Sequence, residues 1–409
     1  MRPPGSKSIT NRALVCAALA EGPSDLTGAL DSEDTRVMIE SLRRLGIAVD
    51  HDAAAATIRV EGAGGLIPAA SADLFVANSG TTMRFLTALL TLGHGVYRID
   101  GAARMHQRPI RDLLDALAQL GADVQSDAKN GCPPVVVRAD GLPGGTAQIA
   151  GDLSSQFLSG LLMASPYART PVELVVSGEL VSKPYVAMTI AVMESFGVSV
   201  GGEQLQRFVV PVGRAYRGRT YAIEPDASAA SYFLAAAAVT RGCVTVEGLG
   251  AESLQGDVAF CDCLAQMGCV VLRDAHRLTV VGRPLRGVDV NMNAISDTVQ
   301  TLGVVAMFAE GPTTIHGVGH IRHKETDRIG DLATELRKLG ASVEELADGL
   351  RITPGERCPA AIDTYNDHRM AMSFAVAGLG IDGVEIRNPE CCAKTYPRFF
   401  EDLARLRAE

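Results

Sequence analysis

The sequence predicts an α/β protein of two lobes, each built from three units of about 70 residues. The first observation is a short pattern that recurs five times: a helical run ending in an apolar residue, then a glycine, then alternating residues with valine. The second is its spacing, because the five glycines follow one another at intervals of 75, 76, 71 and 72 residues. The third is the length of 409 residues, which exceeds the size at which a single hydrophobic core usually keeps growing.

Each copy of the pattern predicts a helix, a turn and a strand. The copies are SLRRLGIAVD at 41–50, ALAQLGADVQ at 116–125, VMESFGVSV at 192–200, CLAQMGCVV at 263–271 and ELRKLGASVE at 335–344. Their glycines, each at a position after a helix that needs a positive φ, are Gly46, Gly121, Gly197, Gly268 and Gly340. A sixth glycine would fall just beyond FFEDLARLRAE, so we expect a sixth unit that ends in a helix.

Composition and charge favour a cytoplasmic protein that binds neither membranes nor nucleic acid. No unbroken apolar run approaches the length of a bilayer span, and no signal-peptide pattern opens the chain. The net charge is −9 and tryptophan is absent, so a general basic surface for nucleic acid is missing. The nine cysteines, without a CxxC pair, fit a reducing compartment and predict no structural metal.

Cations and hydroxyls crowd the predicted helix starts. The stretch PGSKSITNR at 4–12 begins one such helix, where an ordinary N-cap and an anion site are both possible interpretations. Helix N-termini repel cations, yet the following all lie at or beside predicted N-termini: Lys7, Arg12, Arg84, Arg108, Lys324, Arg328, Arg369 and Lys394. Their recurrence in an acidic protein predicts a multiply charged anion in a cleft between the lobes.

These motifs resemble those of the 5-enolpyruvylshikimate-3-phosphate synthase family, in order and along essentially the whole chain. The segments that carry the resemblance are PGSKSITNRALVCAALAEG, NSGTTMRFL, RMHQRPI, LSSQFLSGLL, ELVSKPY, DASAASYFLAAAA, KETDRI and TYNDHRMAM. The resemblance implies the two-lobed enolpyruvyl transferase fold with six βαβαββ repeats, three per lobe, and the active site in the interlobe cleft. It also implies an N-terminal lobe at 6–223 and a C-terminal lobe made of 1–5 and 224–409.

The resemblance further implies the reaction. Phosphoenolpyruvate and shikimate 3-phosphate bind as the lobes close, and the 5-hydroxyl adds to C2 of phosphoenolpyruvate while C3 is protonated. Phosphate and a C3 proton then leave the tetrahedral intermediate. No metal or organic cofactor is implied, and we expect a monomer whose partners are these two small molecules. A site for two phosphates and two carboxylates requires a dense arginine and lysine cluster.

The resemblance assigns roles motif by motif. It implies catalysis by Asp297 as general base, Glu325 as its partner in proton transfer at C3, and Lys7, which touches both substrates. Implied ligands of shikimate 3-phosphate are Lys7, Ser8, Arg12, Ser154, Ser155, Gln156, Ser182, Tyr185, Asp297 and Lys324. Implied ligands of phosphoenolpyruvate are Lys7, Gly80, Arg108, Gln156, Arg328, Arg369 and Lys394. Supporting positions are Asn78, Thr81, Arg84 and His368.

Three features depart from the family pattern. Only Met1, Arg2 and Pro3 precede Pro4, where members usually carry a strand, so we expect either a trimmed start or a missing edge strand. Phe85 stands where many members have proline, behind the Gly80–Thr81 loop, which leaves sensitivity to the inhibitor glyphosate open. His320 stands where some members have asparagine and is a candidate substrate contact.

Three other functions stay open at the level of sequence. UDP-N-acetylglucosamine 1-carboxyvinyltransferases share the fold and the chemistry, but usually place a reactive cysteine where this chain has ARMHQRPI. RNA-end cyclases use related repeats, although the acidic charge and the lack of aromatic runs disfavour RNA binding. A non-catalytic pair of lobes would not need the charged positions, all of which are present.

Overall fold

The computed structural model describes residues 1–203 and 205–406. The chain forms two compact units, an N-terminal unit of Gly5–Ile223 and a C-terminal unit of Met1–Pro4 with Glu224–Glu409. Helices and strands alternate throughout both units, which confirms the predicted α/β class.

The N-terminal unit contains six α-helices and twelve strands within its described residues. The helices are α1 (Lys7–Leu19), α2 (Glu33–Arg44), α3 (Gly80–Leu90), α4 (Arg111–Gln119), α5 (Ser155–Ala164) and α6 (Lys183–Ser195). The strands are β1 (Glu21–Thr27), β2 (Val49–Asp52), β3 (Thr57–Ala63), β4 (Ser71–Phe75), β5 (His94–Asp100), β6 (Asp123–Ser126), β7 (Val135–Asp140), β8 (Gly145–Ala150), β9 (Val172–Ser177), β10 (Gly201–Glu203), β11 (Arg207–Val210) and β12 (Thr220–Ala222).

Three four-stranded sheets of the N-terminal unit share one connectivity. Their strand orders are β12-β1-β3-β2, β4-β5-β7-β6 and β8-β9-β11-β10. In each sheet the first pair is parallel and the other two pairs are antiparallel. Each sheet with its two helices is therefore one βαβαββ repeat. In the first repeat the initial strand is β12, which comes from the end of the unit.

The C-terminal unit repeats the same plan less completely. Its helices are α7 (Ala227–Thr240), α8 (Phe260–Gln266), α9 (Val299–Ala306), α10 (Gly330–Lys338), α11 (His368–Ala377) and α12 (Phe399–Leu406). Its strands are β13 (Cys243–Glu247), β14 (Val270–Arg273), β15 (Arg277–Val281), β16 (Leu285–Arg286), β17 (Asp289–Asn291), β18 (Ala309–Glu310), β19 (Thr313–His316), β20 (Ser342–Leu346), β21 (Gly349–Thr353), β22 (Ala361–Ile362) and β23 (Glu385–Ile386).

One sheet of the C-terminal unit, β17-β19-β21-β20, has the full repeat connectivity. The sheet β13-β15-β14 has no initial strand among the described residues. At that place the main chain of Met1 pairs with β13, donating to the carbonyl of Thr245 at 2.7 Å and accepting from the amide of Glu247 at 2.9 Å. The last sheet, β22-β23, is followed by α12, in keeping with the expected final helix.

The five repeat glycines have the predicted conformation. Gly46, Gly121, Gly197, Gly268 and Gly340 have φ values of 85°, 87°, 94°, 115° and 99°. Each follows the last turn of a helix and precedes a strand, as the pattern predicts. A side chain at these positions would be strained, which explains why glycine recurs there.

Helices fill the interior of each unit. Nearly every residue of α1, α3 and α5 is buried, as is nearly every residue of α7, α9 and α11. A helix that is apolar on all sides must lie within a core, which accounts for the alanine-rich sequence of α7. The early turns of these buried helices carry four of the cations that the sequence analysis singled out, Lys7, Arg12, Arg84 and Arg369.

Candidate functional site

Lys7 is the first residue of α1 and has a carboxylate beside it. The Ser6 side chain caps the helix and accepts from the amide of Ile9 at 3.4 Å, so the ordinary N-cap interpretation of this stretch is confirmed. The Lys7 Nζ lies 3.4 Å from Oδ2 of Asp34, a nearly buried carboxylate in the first turn of α2. Asp34 thus offsets the repulsion between Lys7 and the positive end of α1.

Arg12 lies on the next turn of α1 and is almost fully buried. Its Nε donates to Oγ1 of Thr189 at 2.7 Å, and its Nη1 and Nη2 donate to the carbonyls of Ser8 and Tyr185 at 2.9 and 3.2 Å. A fourth bond, from Nη2 to Oγ of Ser159, is 3.3 Å long. Burial lowers the pKa of Arg12 to about 10. These bonds tie α1 to α5 and α6.

The ring of Phe85 packs against Arg12. The guanidinium carbon of Arg12 lies 5.2 Å from the Phe85 ring centroid, within the range of a cation–π contact. Phe85 is itself buried on the second turn of α3. The residue that departs from the family pattern therefore supports Arg12.

Gly80 begins α3 under two guanidinium groups. A Cβ at this position would lie 2.4 Å from Nη2 of Arg108 and 2.7 Å from Nη1 of Arg84. Both arginines are buried, and Arg108 donates through Nη1 to the carbonyl and side-chain oxygens of Asn78 at 2.9 and 3.2 Å. Arg84 Nη2 donates to the carbonyl of Pro109 at 2.9 Å. The missing side chain of Gly80 leaves room for these cations at the start of α3.

The starts of α5 and α6 carry serine and tyrosine hydroxyls and one glutamine side chain. Ser154 caps α5 by accepting from the amide of Gln156 at 3.3 Å, and Ser155 is buried. Gln156 Nε2 donates to Oγ1 of Thr81 at 3.2 Å, which joins the first turns of α5 and α3. Ser182 precedes α6 in the left-handed conformation with φ of 53°, and Tyr185 follows in the first turn.

The structure thus brings the N-terminal set together. The Gln156–Thr81 bond joins the starts of α5 and α3, and Arg12 joins the early turns of α1, α5 and α6. All thirteen predicted site residues of the N-terminal unit lie on or beside the first turns of these helices, apart from Arg108, which reaches Asn78 from the loop before α4.

In the C-terminal unit, Asp297 accepts from three cations. Its Oδ1 lies 2.5 Å from Nζ of Lys324 and 3.3 Å from Nη1 of Arg328, and its Oδ2 lies 2.7 Å from Nη2 of Arg369. Asp297 sits in the 3₁₀ helix Asn293–Thr298, directly before α9. Three cations stabilise the ionised carboxylate, which is the form that can accept a proton.

Arg328 is the buried centre of a group of charged side chains, the C-terminal set. Its members are Asp297, Lys324, Glu325, Arg328, Asp367 and Arg369. Its Nε and Nη2 donate to Oδ2 and Oδ1 of Asp367 at 2.7 and 3.2 Å, and Nη2 also lies 2.8 Å from Oε2 of Glu325. Burial opposes the charge of Arg328, but the carboxylates of Asp367, Glu325 and Asp297 raise its pKa. This geometry fixes one face of the guanidinium and the position of Glu325 beside it.

Lys324 and Glu325 precede α10 rather than open it. The sequence motif KETDR is typical of a first helical turn, but α10 begins at Gly330, and Lys324 ends the 3₁₀ helix Gly319–His323. Asp327 accepts from the amides of Ile329 and Gly330, both at 3.1 Å, which delays the start of the helix. The non-helical segment lets Lys324 Nζ reach Asp297, and burial lowers the pKa of Lys324.

Three further residues singled out from the sequence lie beside this C-terminal set, namely His368, Lys394 and His320. His368 and Arg369 form the first turn of α11, where Nδ1 of His368 lies 3.5 Å from Oδ1 of Asp367. Lys394 is buried in the 3₁₀ helix Pro389–Lys394, which packs against α11. His320 precedes Lys324 by one turn. Burial, and to a smaller extent the charge of Lys324, lowers the pKa of His320 to about 3.

Sequence reasoning missed two of the carboxylates that pair with these cations, Asp34 and Asp367. Asp34 lies in DSEDTR, an acidic first turn typical of any helix, and Asp367 precedes α11 as its N-cap. Each has an ordinary capping or dipole role, and only the fold shows that each also faces a cation. Asp367 in NDHRMAM stood beside two predicted site residues, which was the available signal.

Comparison with known proteins shows the family of this chain. The family model of EPSP synthase (3-phosphoshikimate 1-carboxyvinyltransferase) matches residues 1–403. The chain belongs to this family. A Nostoc 3-phosphoshikimate 1-carboxyvinyltransferase is 48% identical over 398 residues, which cover 97% of this chain and 94% of the relative. The enzyme of the same name from Shewanella loihica is 48% identical over 406 residues, covering 98% and 95%.

Solved structures agree with the fold of this EPSP synthase family member. An EPSP synthase from Acinetobacter baumannii superposes with a TM-score of 0.80 at 27% identity, covering 99% of this chain and 94% of the other. The enolpyruvyl transferase NikO from Streptomyces tendae gives a TM-score of 0.79 at 23% identity, with coverage of 99% and 94%, and shows the fold alone. The predicted enolpyruvyl transferase fold is confirmed.

The described residues contain neither a membrane-spanning helix nor a cluster of metal-binding side chains. No helix of the part of the chain that the structure describes is long and apolar enough to cross a bilayer. Over the same residues, no group of three or more histidine, cysteine, aspartate or glutamate side chains could hold a metal ion.

Proposed function

We propose that this protein transfers the carboxyvinyl group of phosphoenolpyruvate to the 5-hydroxyl of shikimate 3-phosphate and releases phosphate, in the shikimate pathway that supplies aromatic amino acids. Membership of the EPSP synthase family across residues 1–403 is the observation that carries the proposal. Two sets of buried cations, one in each unit, supply the charge that two phosphates and two carboxylates require. The proposal has the two sets act on one pair of substrates.

The N-terminal set suits shikimate 3-phosphate and part of phosphoenolpyruvate. Hydroxyls of Ser154, Ser155 and Ser182, with the amides of the α5 start, offer donors to a phosphate. Ser8, Gln156 and Tyr185 complete this phosphate site. Arg12 has four bonds within the protein, so its role is chiefly to hold α1, α5 and α6 in place around the phosphate.

The phosphoenolpyruvate site draws on both units. Gly80 and Arg108 contribute from the N-terminal unit, with Asn78, Thr81 and Arg84 shaping the start of α3. Arg328, Arg369 and Lys394 contribute from the C-terminal unit, with His368 beside them. Guanidinium groups match the paired oxygens of carboxylates and phosphates, which supports arginine rather than lysine at most of these positions.

Proton transfer involves Asp297, Glu325 and Lys7. Asp297 would leave its contact with Lys324 to accept the proton of the 5-hydroxyl as oxygen bonds to C2. Glu325 and Lys7 would deliver a proton to C3 and remove one when phosphate leaves. Lys324 would then bind the acceptor through its ammonium, and His320 lies one turn away. No cofactor takes part in these steps, and we propose a cytoplasmic monomer.

Phosphate release from purified protein tests the proposal. We expect release only when phosphoenolpyruvate and shikimate 3-phosphate are both present, and a loss of at least about 100-fold in Lys7→Ala and Asp297→Ala. Lys338→Ala and Asp289→Ala are matched controls, since both side chains lie outside the two sets. Absence of release from the folded wild-type protein would refute the proposal.

UDP-N-acetylglucosamine is the alternative acceptor. It would replace shikimate 3-phosphate in the same assay, with the same variants. Phosphate release with this acceptor alone would favour the second carboxyvinyltransferase. The segment ARMHQRPI, at 103–110 with its 3₁₀ helix Met105–Gln107, contains no cysteine, which argues against that outcome.

A further inference from the structure

A small cavity in the C-terminal unit is lined by three arginines and by no acidic residue. Its volume is about 170 Å³, and its charged walls are Arg241, Arg283 and Arg357. The rest of its lining consists of Ala238, Val239, Leu285, Phe308 and Gly380. A cavity of this size is below the roughly 300 Å³ at which sites for drug-sized ligands begin. It therefore suits a small anion.

The cavity has a fixed floor. The guanidinium carbon of Arg357 lies 4.9 Å from the ring centroid of Phe308, as in a cation–π pair. A Cβ at Gly380 would lie 2.5 Å from Cε1 of Phe308, so the glycine allows the ring to lie across this place. The Phe308 ring in turn orients Arg357 at the cavity.

The three guanidinium groups have no counter-charge in the described part of the chain. None of them forms an ion pair or a hydrogen bond with another described residue. Other arginines of this unit are paired, for example Arg273 with Asp262 at 2.8 Å and Arg337 with Glu345 at 3.2 Å. Although the chain has a net charge of −9, three cations gathered without a carboxylate form a local positive patch that attracts anions.

The cavity lies at the C-terminal ends of α7, α9 and α11, whose opposite ends adjoin the C-terminal set. Arg241 follows α7, Phe308 follows α9 and Gly380 follows α11. The early turns of α7 and α11 carry Tyr232 and Arg369, and Asp297 lies two residues before the start of α9. At 1.5 Å per residue these helices separate the two places by about 12 to 20 Å.

The helix ends do not cancel the charge of the arginines. Each helix C-terminus is equivalent to about half a negative charge, and three of them therefore offset only about half of three guanidinium charges. The helix ends explain why a single cation such as Arg241 is favourable there. They leave the cavity positive as a whole.

We propose that this cavity is a second anion site, which binds a small molecule that carries a phosphate group. Three guanidinium groups offer paired donors to the several oxygens of a phosphate, whereas a carboxylate has only two oxygens to share among them. The apolar floor of Phe308 and Leu285 accommodates a short carbon portion of the ligand. The site is separate from the residues proposed for catalysis, and it does not depend on the proposed function.

Titration with inorganic phosphate at low ionic strength tests this site. The full chain is titrated by calorimetry, beside the double variant Arg283→Gln/Arg357→Gln and the matched control Arg277→Gln/Arg351→Gln. The control also removes two exposed charges of the unit, at residues outside the cavity. We expect one phosphate fewer per chain, or binding at least 10-fold weaker, in the cavity variant only.

Two further measurements make the result decisive. Lys7→Ala, which weakens the proposed catalytic site, should keep the phosphate that the cavity variant loses. Arg283→Lys and Arg357→Lys retain the charge without the paired donors and should each bind phosphate more weakly than the wild type. Equal stoichiometry and affinity in the wild type and the folded cavity variant would overturn the proposal, whatever the catalytic assay shows.

Discussion

Arg328 and Asp367 form a doubly hydrogen-bonded pair inside the C-terminal unit, with Nε to Oδ2 at 2.7 Å and Nη2 to Oδ1 at 3.2 Å. The Asp367 side chain is fully buried and that of Arg328 is only 2% exposed. Asp367 also caps α11 by accepting from the amide of Arg369 at 2.9 Å. One carboxylate therefore positions two of the cations proposed to bind phosphoenolpyruvate.

Asp367→Asn should destabilise the protein strongly. The variant keeps a cap for α11 but leaves Arg328 with less counter-charge in a buried place, which typically costs about 3 to 5 kcal/mol. Urea denaturation measures the change in the free energy of unfolding. Asp363→Asn is the control, because its ion pairs with Lys338 and Arg387 are partly exposed and should be worth less than about 1 kcal/mol. Equal losses in the two variants would contradict a central role for Asp367.

Gly80→Ala should weaken phosphoenolpyruvate binding more than it affects folding. The new Cβ would meet the guanidinium groups of Arg108 and Arg84 and displace them. We expect the KM for phosphoenolpyruvate to rise at least about 10-fold, since a misplaced group of about 1 Å is costly at a site. Gly378→Ala is the control, because its Cβ would make only ordinary contacts. An unchanged KM in Gly80→Ala would show that the space above this glycine is not used.

Arg12→Lys should lower stability although the charge is retained. A lysine cannot replace the fork that bonds Thr189, Ser159 and two carbonyls, and its ammonium would be buried. We expect a loss of about 3 kcal/mol in the free energy of unfolding. Arg36→Lys, whose partner Asp31 lies at the surface, should stay within about 1 kcal/mol of the wild type. A loss no larger than that of Arg36→Lys would refute the structural role of Arg12.

His320 should make stability fall in acid. Its pKa is about 3 in the folded protein against 6.5 for an ordinary histidine, so the unfolded state binds more protons between these values. Stability is lost as the pH falls through this window, by about 2 kcal/mol between pH 7 and pH 5. Denaturation at the two pH values should show a smaller loss in His320→Asn, with exposed His94→Asn as control. Parallel losses in all three proteins would contradict the burial of a neutral His320.

The repeats could be predicted from the sequence because the residues that end each helix and begin the next strand are neighbours along the chain. A helix that ends in a left-handed residue before a strand needs glycine, and Gly46, Gly121 and Gly340 show that need at nearly constant intervals. The helix starts at Lys7 and Gly80 were also evident from nearby residues. Such features depend only on a few neighbours along the chain.

Other features depend on contacts between distant segments and could not be predicted. The start of α10 at Gly330 is set by Asp327, and the partners of Lys7 and Arg328 come from other helices. β12 completes the first sheet by pairing with β1. This pairing brings together residues about 200 positions apart, such as Asp25 and Thr220. Long-range pairing of this kind leaves no local pattern in a single sequence.

A competition experiment tests which acceptor receives the carboxyvinyl group. Purified protein is given phosphoenolpyruvate with equal amounts of shikimate 3-phosphate and UDP-N-acetylglucosamine, and phosphorus NMR with mass spectrometry identifies the carboxyvinyl product. We predict that only shikimate 3-phosphate acquires the carboxyvinyl group, with one phosphate released for each transfer. A carboxyvinyl group on UDP-N-acetylglucosamine, or phosphate released without any carboxyvinyl product, would contradict the account.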